Sequence, residues 1–284
     1  NYNIVGVIAQ PDKPVGRKKI LEPVPTKVVA NKYNIPVFQP LKIKHDYEFV
    51  NDLKPDVIVT LAYGQIVPQG LLDIPTHGCV NLHGSLLPKY RGAAPIQYAI
   101  KDGLTKTGMT LMQMIDKMDA GLMYAKKECD ITPEDNTTSL FKKMAVVARD
   151  LILETLDDYM NGSLIGIEQN ENEVSFCPTI KKEEEKIPLD LNCKDFVNYV
   201  RALADIPGVY VYFKNYKLKI FKAEVANNQL GEVGKIVQAD KNGLLLQLND
   251  GQVKILEVQK EGKNRIYYKS FINGENDLNG LKFQ

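Results

Sequence analysis

The sequence predicts an α/β fold, with a doubly wound, mostly parallel, Rossmann-like sheet followed by a small OB-like β-barrel. Three observations predict this fold. Short apolar runs alternate with amphipathic helical segments up to about residue 160, which is typical of a parallel sheet covered by helices. The pattern breaks near residue 163, where the chain becomes polar and irregular. Beyond residue 208, short strand-like segments alternate with turn residues, as in small barrels.

The amino-terminal elements follow in strand–helix order. Residues 56–62 form a near-continuous apolar run, typical of a strand covered on both faces. Pro95 suits the first turn of a helix, and Asn136 or Thr137 can cap a long amphipathic one. The predicted strands are 3–9, 36–38, 56–62, 79–83, 108–115 and 122–128, and the predicted helices are 25–34, 46–53, 65–73, 95–101 and 136–160.

The carboxyl-terminal part follows another pattern. A helix is predicted over 194–204, and turns such as Asn249-Asp250-Gly251 separate short strands. These strands are predicted over 208–213, 217–225, 232–239, 243–249 and 252–259. We therefore expect an amino-terminal domain over 1–162, a linker over 163–190 and a barrel domain over 191–284.

Composition bounds the class of protein. The chain has 284 residues, 44% of them hydrophobic and 25% charged, and no apolar run long enough to cross a bilayer. The net charge of +1 gives no general case for a polyanionic partner. Residues 186–284 nevertheless carry 15 Lys and Arg against 11 Asp and Glu, which fits either a basic appendage or a chance excess of surface lysines. The four cysteines and three histidines are scattered, so no metal site is predicted.

The densest cluster of polar residues lies at the end of the predicted strand 79–83. Asn81 and His83 are two residues apart, so they share one side of the strand. In open α/β sheets, ligands bind beyond the carboxyl ends of strands. An imidazole beside an amide can offer a proton acceptor and a hydrogen-bond donor to one reacting centre, although a buried polar pair explains the same pattern.

A third candidate lies in the turn between two predicted strands. Asp119 could orient the imidazole and stabilise its cationic form, and Asp116 competes for that role in the same turn. Ser85 follows His83 closely, but no G-x-S-x-G elbow surrounds it. Neither a G-x-G-x-x-G fingerprint nor a P-loop occurs, which disfavours a dinucleotide or nucleotide-phosphate site.

Several motifs together resemble the folate-dependent formyltransferases. They are Asn81-Leu82-His83-Gly84-Ser85-Leu86-Leu87-Pro88, Tyr90-Arg91-Gly92 and the later Asp119-Ala120-Gly121. The continuation to Gln97, together with the segments 10–17 and 61–66, is similar to the methionyl-tRNA formyltransferases in particular. The resemblance is strong from Ile4 to about Asp158 and weaker beyond.

The resemblance implies specific roles. Asn81, His83 and Asp119 would be catalytic, and Ser85, Leu86, Leu87 and Pro88 would border the folate. The family begins with a strand and a Gly-Thr-Pro loop that precede the segment starting at Asn1, so we expect the first strand of the sheet to be missing from this sequence. The expected Trp-rich segment after residue 204 is also absent, which leaves details of the second domain open.

The implied partner is initiator methionyl-tRNA. A loop over residues 11–25 contains Arg17, Lys18 and Lys19, and the resemblance implies that Arg17 contacts the acceptor end of the tRNA. Second-domain lysines are expected to share one face of a strand and to bind phosphates. These lysines are Lys217, Lys219 and Lys222.

The expected reaction is direct formyl transfer from 10-formyltetrahydrofolate to the methionyl amine, with no metal and no acyl-enzyme. We expect a monomer in the bacterial cytoplasm or an organelle. The alternatives keep the chemistry but use a sugar nucleotide, glycinamide ribonucleotide or water as acceptor. A catalytically inert RNA-binding protein is a further alternative, which the complete trio of polar residues disfavours.

Overall fold

A computed structural model describes residues 2–16, 20–275 and 277–284. The chain forms two compact units. The first comprises Asn1–Ala93, Met109–Lys127 and Ala148–Ser175, and the second comprises Ala94–Gly108, Glu128–Val147 and Phe176–Gln284. Both units are discontinuous in sequence, whereas the predicted domains are continuous, so the boundaries 1–162, 163–190 and 191–284 stay a prediction.

Most predicted elements are found, although many of their bounds differ from the predicted ones. The helices are α1 (Pro25–Lys32), α2 (Phe49–Leu53), α3 (Gln69–Leu72), α4 (Pro95–Lys101), α5 (Thr137–Met160), α6 (Cys193–Leu203) and α7 (Tyr268–Asn273). The strands are β1 (Val7–Ile8), β2 (Lys13–Val15), β3 (Ile20–Glu22), β4 (Val37–Phe38), β5 (Ile58–Thr60), β6 (Cys79–His83), β7 (Arg91–Gly92), β8 (Lys106–Gln113), β9 (Met123–Asp130), β10 (Phe176–Cys177), β11 (Val209–Phe213), β12 (Tyr216–Asn227), β13 (Ile236–Asp240), β14 (Gly243–Gln247), β15 (Gln252–Lys260) and β16 (Ile266–Tyr267). Among the described residues, no helix has the length and apolarity needed to cross a membrane.

The first unit contains parallel strand pairs, as predicted, and an antiparallel extension. β1 pairs with β4 in parallel, and β5 pairs with β6 in parallel. β8 pairs with the other edge of β6 in the antiparallel sense, within the strand order β5-β6-β8-β9. The predicted mostly parallel sheet is therefore mixed, and β6 lies between one parallel and one antiparallel neighbour.

A cavity of about 720 Å³ separates the two sets of parallel strands. Residues 2–10, which contain β1, and residues 53–63, which contain β5, supply most of its lining. No ladder joins these two strands within the described part of the chain. Asn81, His83 and Asp119 are not among the lining residues.

The second unit is built on an antiparallel sheet. Its strand order is β11-β12-β15-β14-β13, and β16 pairs with β15. In the described residues, no pairing joins β11 to β13, so the sheet is open and the OB-like barrel stays a prediction. The helix α7 was not predicted, because six residues give little periodicity, yet it buries Tyr268 and Phe271 in this unit.

Candidate active site

Strand β6 positions the first two predicted residues. Val80 and Leu82 are buried, with 0% and 4% of their surface exposed, and they point to the face opposite Asn81 and His83. Asn81 lies opposite Thr60 of β5 and Met112 of β8, so it sits inside the sheet rather than at an edge. The pairing of β6 with β8 runs in unbroken register from Val80 to His83, so alternation places Asn81 and His83 on one side of the strand.

The imidazole of His83 lies between a carboxylate and a carbonyl. His83 is 5% exposed, and its Nδ1 is 3.6 Å from Oδ1 of Asp119. Its Nε2 is 2.8 Å from the Tyr90 carbonyl oxygen. Because a carbonyl can only accept, Nε2 carries the proton of this hydrogen bond. The separation from Asp119 is an ion-pair distance and exceeds that of a hydrogen bond.

Asp119, rather than Asp116, is the carboxylate beside His83. Its Oδ2 accepts a hydrogen bond of 2.9 Å from the backbone N–H of Gly92, and the side chain is 15% exposed. Asp116 is exposed to solvent. Although Asp119 lies thirty-six positions after His83, the strand pair β6–β8 and the turn beyond β8 bring the two side chains together.

The segment 85–88 forms a tight turn after β6. Thr110 of β8 is fully buried, and its hydroxyl donates to the Ser85 carbonyl at 2.7 Å and accepts from the Leu87 N–H at 3.1 Å. Lys126 Nζ donates to the Leu87 carbonyl at 2.5 Å. Ser85 and Leu87 are each 1% exposed, so their side chains shape the turn, while Leu86 is only partly buried.

The Asn81 amide is the donor with the greatest freedom in this cluster. It is half-buried, and no hydrogen bond of its side chain occurs within the described part of the chain. An amide held by a strand beside a buried imidazole and a carboxylate is suited to stabilise an oxyanion. The arrangement also suits the activation of an amine, since the Asp119 carboxylate lies 3.6 Å from the His83 imidazole and could accept a proton.

Three residues that support the site were not predicted from the sequence. Tyr90 and Gly92 stand in a motif noted above, but they act through backbone atoms, which residue types do not reveal. Thr110 gave a weak signal, as a hydroxyl within an apolar strand. The residues predicted to bind tRNA, Arg17, Lys18 and Lys19, lie outside the described residues.

Known proteins are similar to this chain over nearly its whole length. The sequence model of the formyl transferase family matches residues 1–156, and that of the formyl transferase C-terminal domain matches residues 179–276. A methionyl-tRNA formyltransferase of Mesoplasma florum is 44% identical, over 98% of this chain and 90% of the relative. One of Bacillus cereus is 43% identical, over 99% of this chain and 91% of the relative.

Solved structures share the fold at low identity. HypX from Aquifex aeolicus, crystallised in complex with tetrahydrofolic acid, aligns with a TM-score of 0.65 and 16% identity, over 95% of this chain. The chain spans about half of HypX, 47% of its length. An N-formyltransferase from Helicobacter canadensis aligns with a TM-score of 0.66 and 16% identity, over 91% of this chain and all of that one. From the family matches and the identity of its relatives, the chain belongs to the formyl transferase family.

Proposed function

We propose that this protein transfers the formyl group of 10-formyltetrahydrofolate to the amino group of methionyl initiator tRNA. The observation that carries the chemistry is the placement of Asp119 beside the His83 imidazole, on the side of β6 that also presents Asn81. The acceptor is inferred from relatives at 44% and 43% identity, which are named methionyl-tRNA formyltransferases.

The reaction needs the protein to stabilise the formyl oxygen, to accept a proton from the amine and to deliver a proton to N10. The methionyl nitrogen attacks the formyl carbon, negative charge grows on the formyl oxygen, and the bond from that carbon to N10 of the folate then breaks. The Asn81 amide donates to the developing oxyanion. Asp119 holds the imidazole and accepts the proton of the amine through water, and this proton then passes to N10 as the bond between the formyl carbon and N10 breaks.

The hydrogen bond of His83 adds a requirement to this mechanism. Nε2–H donates to the Tyr90 carbonyl, so the imidazole is not free to donate to the formyl oxygen from that nitrogen. When substrate binds, that hydrogen bond must be exchanged or shared with the formyl oxygen. Asn81 requires no such exchange, so it would be the first donor to engage the substrate.

The folate would bind against the turn 85–88. Leu86 is the partly exposed side chain of this turn, and the other three residues contribute through shape and backbone. A co-crystal of HypX with tetrahydrofolic acid supports a reduced folate as the ligand of this fold. Ser85, Leu87 and Pro88 are thus proposed as walls of the folate site.

The second unit offers a basic and aromatic surface for tRNA. Lys217 Nζ lies 4.2 Å from the ring centre of Tyr210 and 5.9 Å from that of Tyr212, and Lys186 Nζ lies 5.4 Å from the Tyr212 ring. The Tyr212 ring is exposed and the Tyr210 ring is partly exposed, and ammonium groups over such rings suit phosphates and stacked bases. Lys219 differs from expectation, because its ammonium donates to the Pro207 carbonyl at 2.5 Å.

A bulge decides where the third lysine points. Strict alternation from Lys217 and Lys219 would turn Lys222 to the opposite face. The register of β12 against β15 shifts between Ile220 and Lys222, and Lys222 is exposed while Ala223 is buried. We infer that this irregularity turns Lys222 to the side of the strand that carries Lys217 and Lys219.

We also infer, from the fold of the family, that the two parts are Rossmann-like and OB-like, and that the enzyme is a monomer of the bacterial cytoplasm.

An acceptor assay tests the proposed function. The protein is incubated with formyl-folate and radiolabelled methionyl-tRNA, and a dTDP-amino sugar serves as the competing acceptor. We expect formyl-methionyl-tRNA to form at least about 100-fold faster than the formylated sugar, the scale of one well-placed discrimination step. Equal or faster transfer to the sugar would contradict the proposal that methionyl-tRNA is the acceptor.

A further inference from the structure

The turn that carries Asp119 is closed by one side chain that comes from far along the chain. Asp119 has a backbone φ of 49°, in the left-handed region that residues other than glycine seldom adopt. The carbonyl oxygens of Asp119 and Gly121 both accept hydrogen bonds from Gln169 Nε2, at 2.8 Å and 2.9 Å. A single amide therefore satisfies two carbonyls of the turn.

Arg91 fixes the direction of the Gln169 amide. Its Nε donates to Gln169 Oε1 at 3.0 Å, and since a guanidinium has no acceptor, the amide nitrogen must face the turn. Arg91 is 1% exposed, and its Nη2 lies 2.9 Å from Glu171 Oε1. The hydrogen bond from Arg91 lowers the pKa of Glu171, so this partner is charged at neutral pH.

The backbone on either side of Arg91 reaches the two catalytic groups. The Tyr90 carbonyl accepts from His83 Nε2 at 2.8 Å. The Gly92 N–H donates to Asp119 Oδ2 at 2.9 Å. One tripeptide thus contacts the imidazole and the carboxylate through its backbone, and the amide that closes the turn through its side chain.

We propose that Gln169, oriented by Arg91, is a positioning residue for formyl transfer that acts through Asp119. The inference rests on the proposed function, because it takes Asp119 and His83 as the catalytic pair. Without the Gln169 amide, two turn carbonyls lose their donor and the left-handed Asp119 backbone loses its restraint. The carboxylate then shifts relative to His83, and a displacement of about 1 Å can lower a rate about 100-fold.

Substitution Gln169→Leu tests the proposal, because leucine has a similar size and no amide. We expect kcat to fall about 10- to 100-fold, with the KM for formyl-folate changed less than about twofold. On an Asp119→Ala background the same substitution should cost nothing further. The control is Gln69→Leu, which removes an exposed amide that donates to Asp73 at 2.7 Å.

Two results would overturn the proposal. One is a kcat of the Gln169→Leu variant within about twofold of the unsubstituted enzyme. The other is an equal loss with and without Asp119, which would indicate a general effect on folding. If the leucine variant does not fold, Gln169→Glu replaces it, since a carboxylate keeps an acceptor for Arg91 and lacks the donors for the turn.

A readout independent of activity separates this inference from the proposed function. The chain has three histidines, so the imidazole NMR signals of His83 can be assigned with single substitutions. We expect Gln169→Leu to move these signals and Gln69→Leu to leave them in place. Unmoved signals would contradict the positioning role even in an active enzyme, whereas moved signals in a protein without transferase activity would contradict only the proposed function.

Discussion

At the scale of residues, the site depends on three side chains with different degrees of freedom. His83 is nearly buried, and both ring nitrogens face acceptors, Asp119 and the Tyr90 carbonyl. Asn81 is half-buried, with its amide available to a ligand. Asn81 can therefore engage a ligand directly, whereas His83 must first release the Tyr90 carbonyl.

Alanine substitution of either donor should lower turnover. We expect Asn81→Ala and His83→Ala each to reduce kcat about 100- to 1000-fold, because each removes stabilisation of the oxyanion, while folate affinity changes little. Steady-state transfer to methionyl-tRNA and a separate folate-binding titration measure the two effects. His45→Ala, at an exposed position, is the matched control. Near-normal turnover of His83→Ala would remove this residue from the mechanism.

The sequence located the catalytic candidates but not what positions them. Alternation along one strand placed Asn81 and His83 together, and the family resemblance selected Asp119 over Asp116. The contacts from Tyr90 and Gly92 could not be predicted, because they involve backbone atoms whose direction depends on the tertiary fold. Gln169 gave no signal, since an isolated glutamine in a polar segment is typical of any surface loop.

At the scale of elements, β8 supports the turn 85–88 through the Thr110 hydroxyl. Thr110→Val keeps the shape but removes the donor to Ser85 and the acceptor for Leu87. We expect a loss of about 1 to 3 kcal/mol in unfolding free energy and a higher KM for formyl-folate. Urea denaturation and steady-state kinetics measure both, and Thr110→Ser is the control that keeps the hydroxyl. An unchanged KM would show that the turn does not depend on this threonine.

A carboxylate just before α5, that of Asp135, links stability to pH. Burial alone would raise the pKa of Asp135, but hydrogen bonds from Lys143, Thr132 and Ser139 outweigh it and lower the pKa to about 2. A lowered pKa stabilises the fold above the ordinary value of 3.8, and this contribution is lost as the pH falls towards 2.

Substitution Asp135→Asn should therefore have an effect that depends on pH. Near neutral pH we expect it to cost about 1 to 3 kcal/mol, because asparagine keeps only one of the two acceptor oxygens and loses the charge that pairs with Lys143. The difference from the unsubstituted protein should shrink between about pH 4 and pH 2, as measured by urea denaturation across that range. Asp46→Asn, at an exposed position, is the control. A difference that stays constant down to about pH 2 would contradict the assignment.

The element boundaries show where the sequence pattern was sufficient to predict the start and end of an element. The helix α4 begins and ends as predicted, because Pro95 fixes its first turn. The strand expected over 3–9 is only Val7–Ile8, since pairing with a neighbour defines a strand and, in the described part of the chain, this segment pairs only with Val37 and Phe38. Short elements such as β16 have too few residues to produce a pattern.

At the scale of the whole molecule, charge and chemistry are distributed differently. The catalytic candidates belong to the first unit, whereas the lysine and tyrosine surface belongs to the second. Counting charged residues revealed the basic excess of residues 186–284 but not its arrangement. Residue counts could not show that Lys217 lies over two tyrosine rings, or that Lys219 is engaged by a carbonyl.

Binding of tRNA should depend strongly on salt. If about three phosphates are contacted, raising the salt from about 50 to 200 mM should raise the KM for methionyl-tRNA roughly 10- to 60-fold by counterion release. The KM for formyl-folate should change less than about threefold over the same range. Steady-state kinetics at several salt concentrations provide both values, and Lys217→Ala should flatten the tRNA dependence. Equal salt effects on both substrates would argue against a phosphate-binding surface.

The central claim is that His83 and Asp119 act as one unit, and a double-mutant cycle tests it most directly. Single-turnover formyl transfer would be measured for His83→Ala, Asp119→Ala and the double variant. If the carboxylate acts through the imidazole, the double variant should be about as slow as the slower single variant, roughly 100- to 1000-fold below the unsubstituted enzyme. Losses that multiply, to about 10,000-fold or more, would show two independent groups and contradict the account.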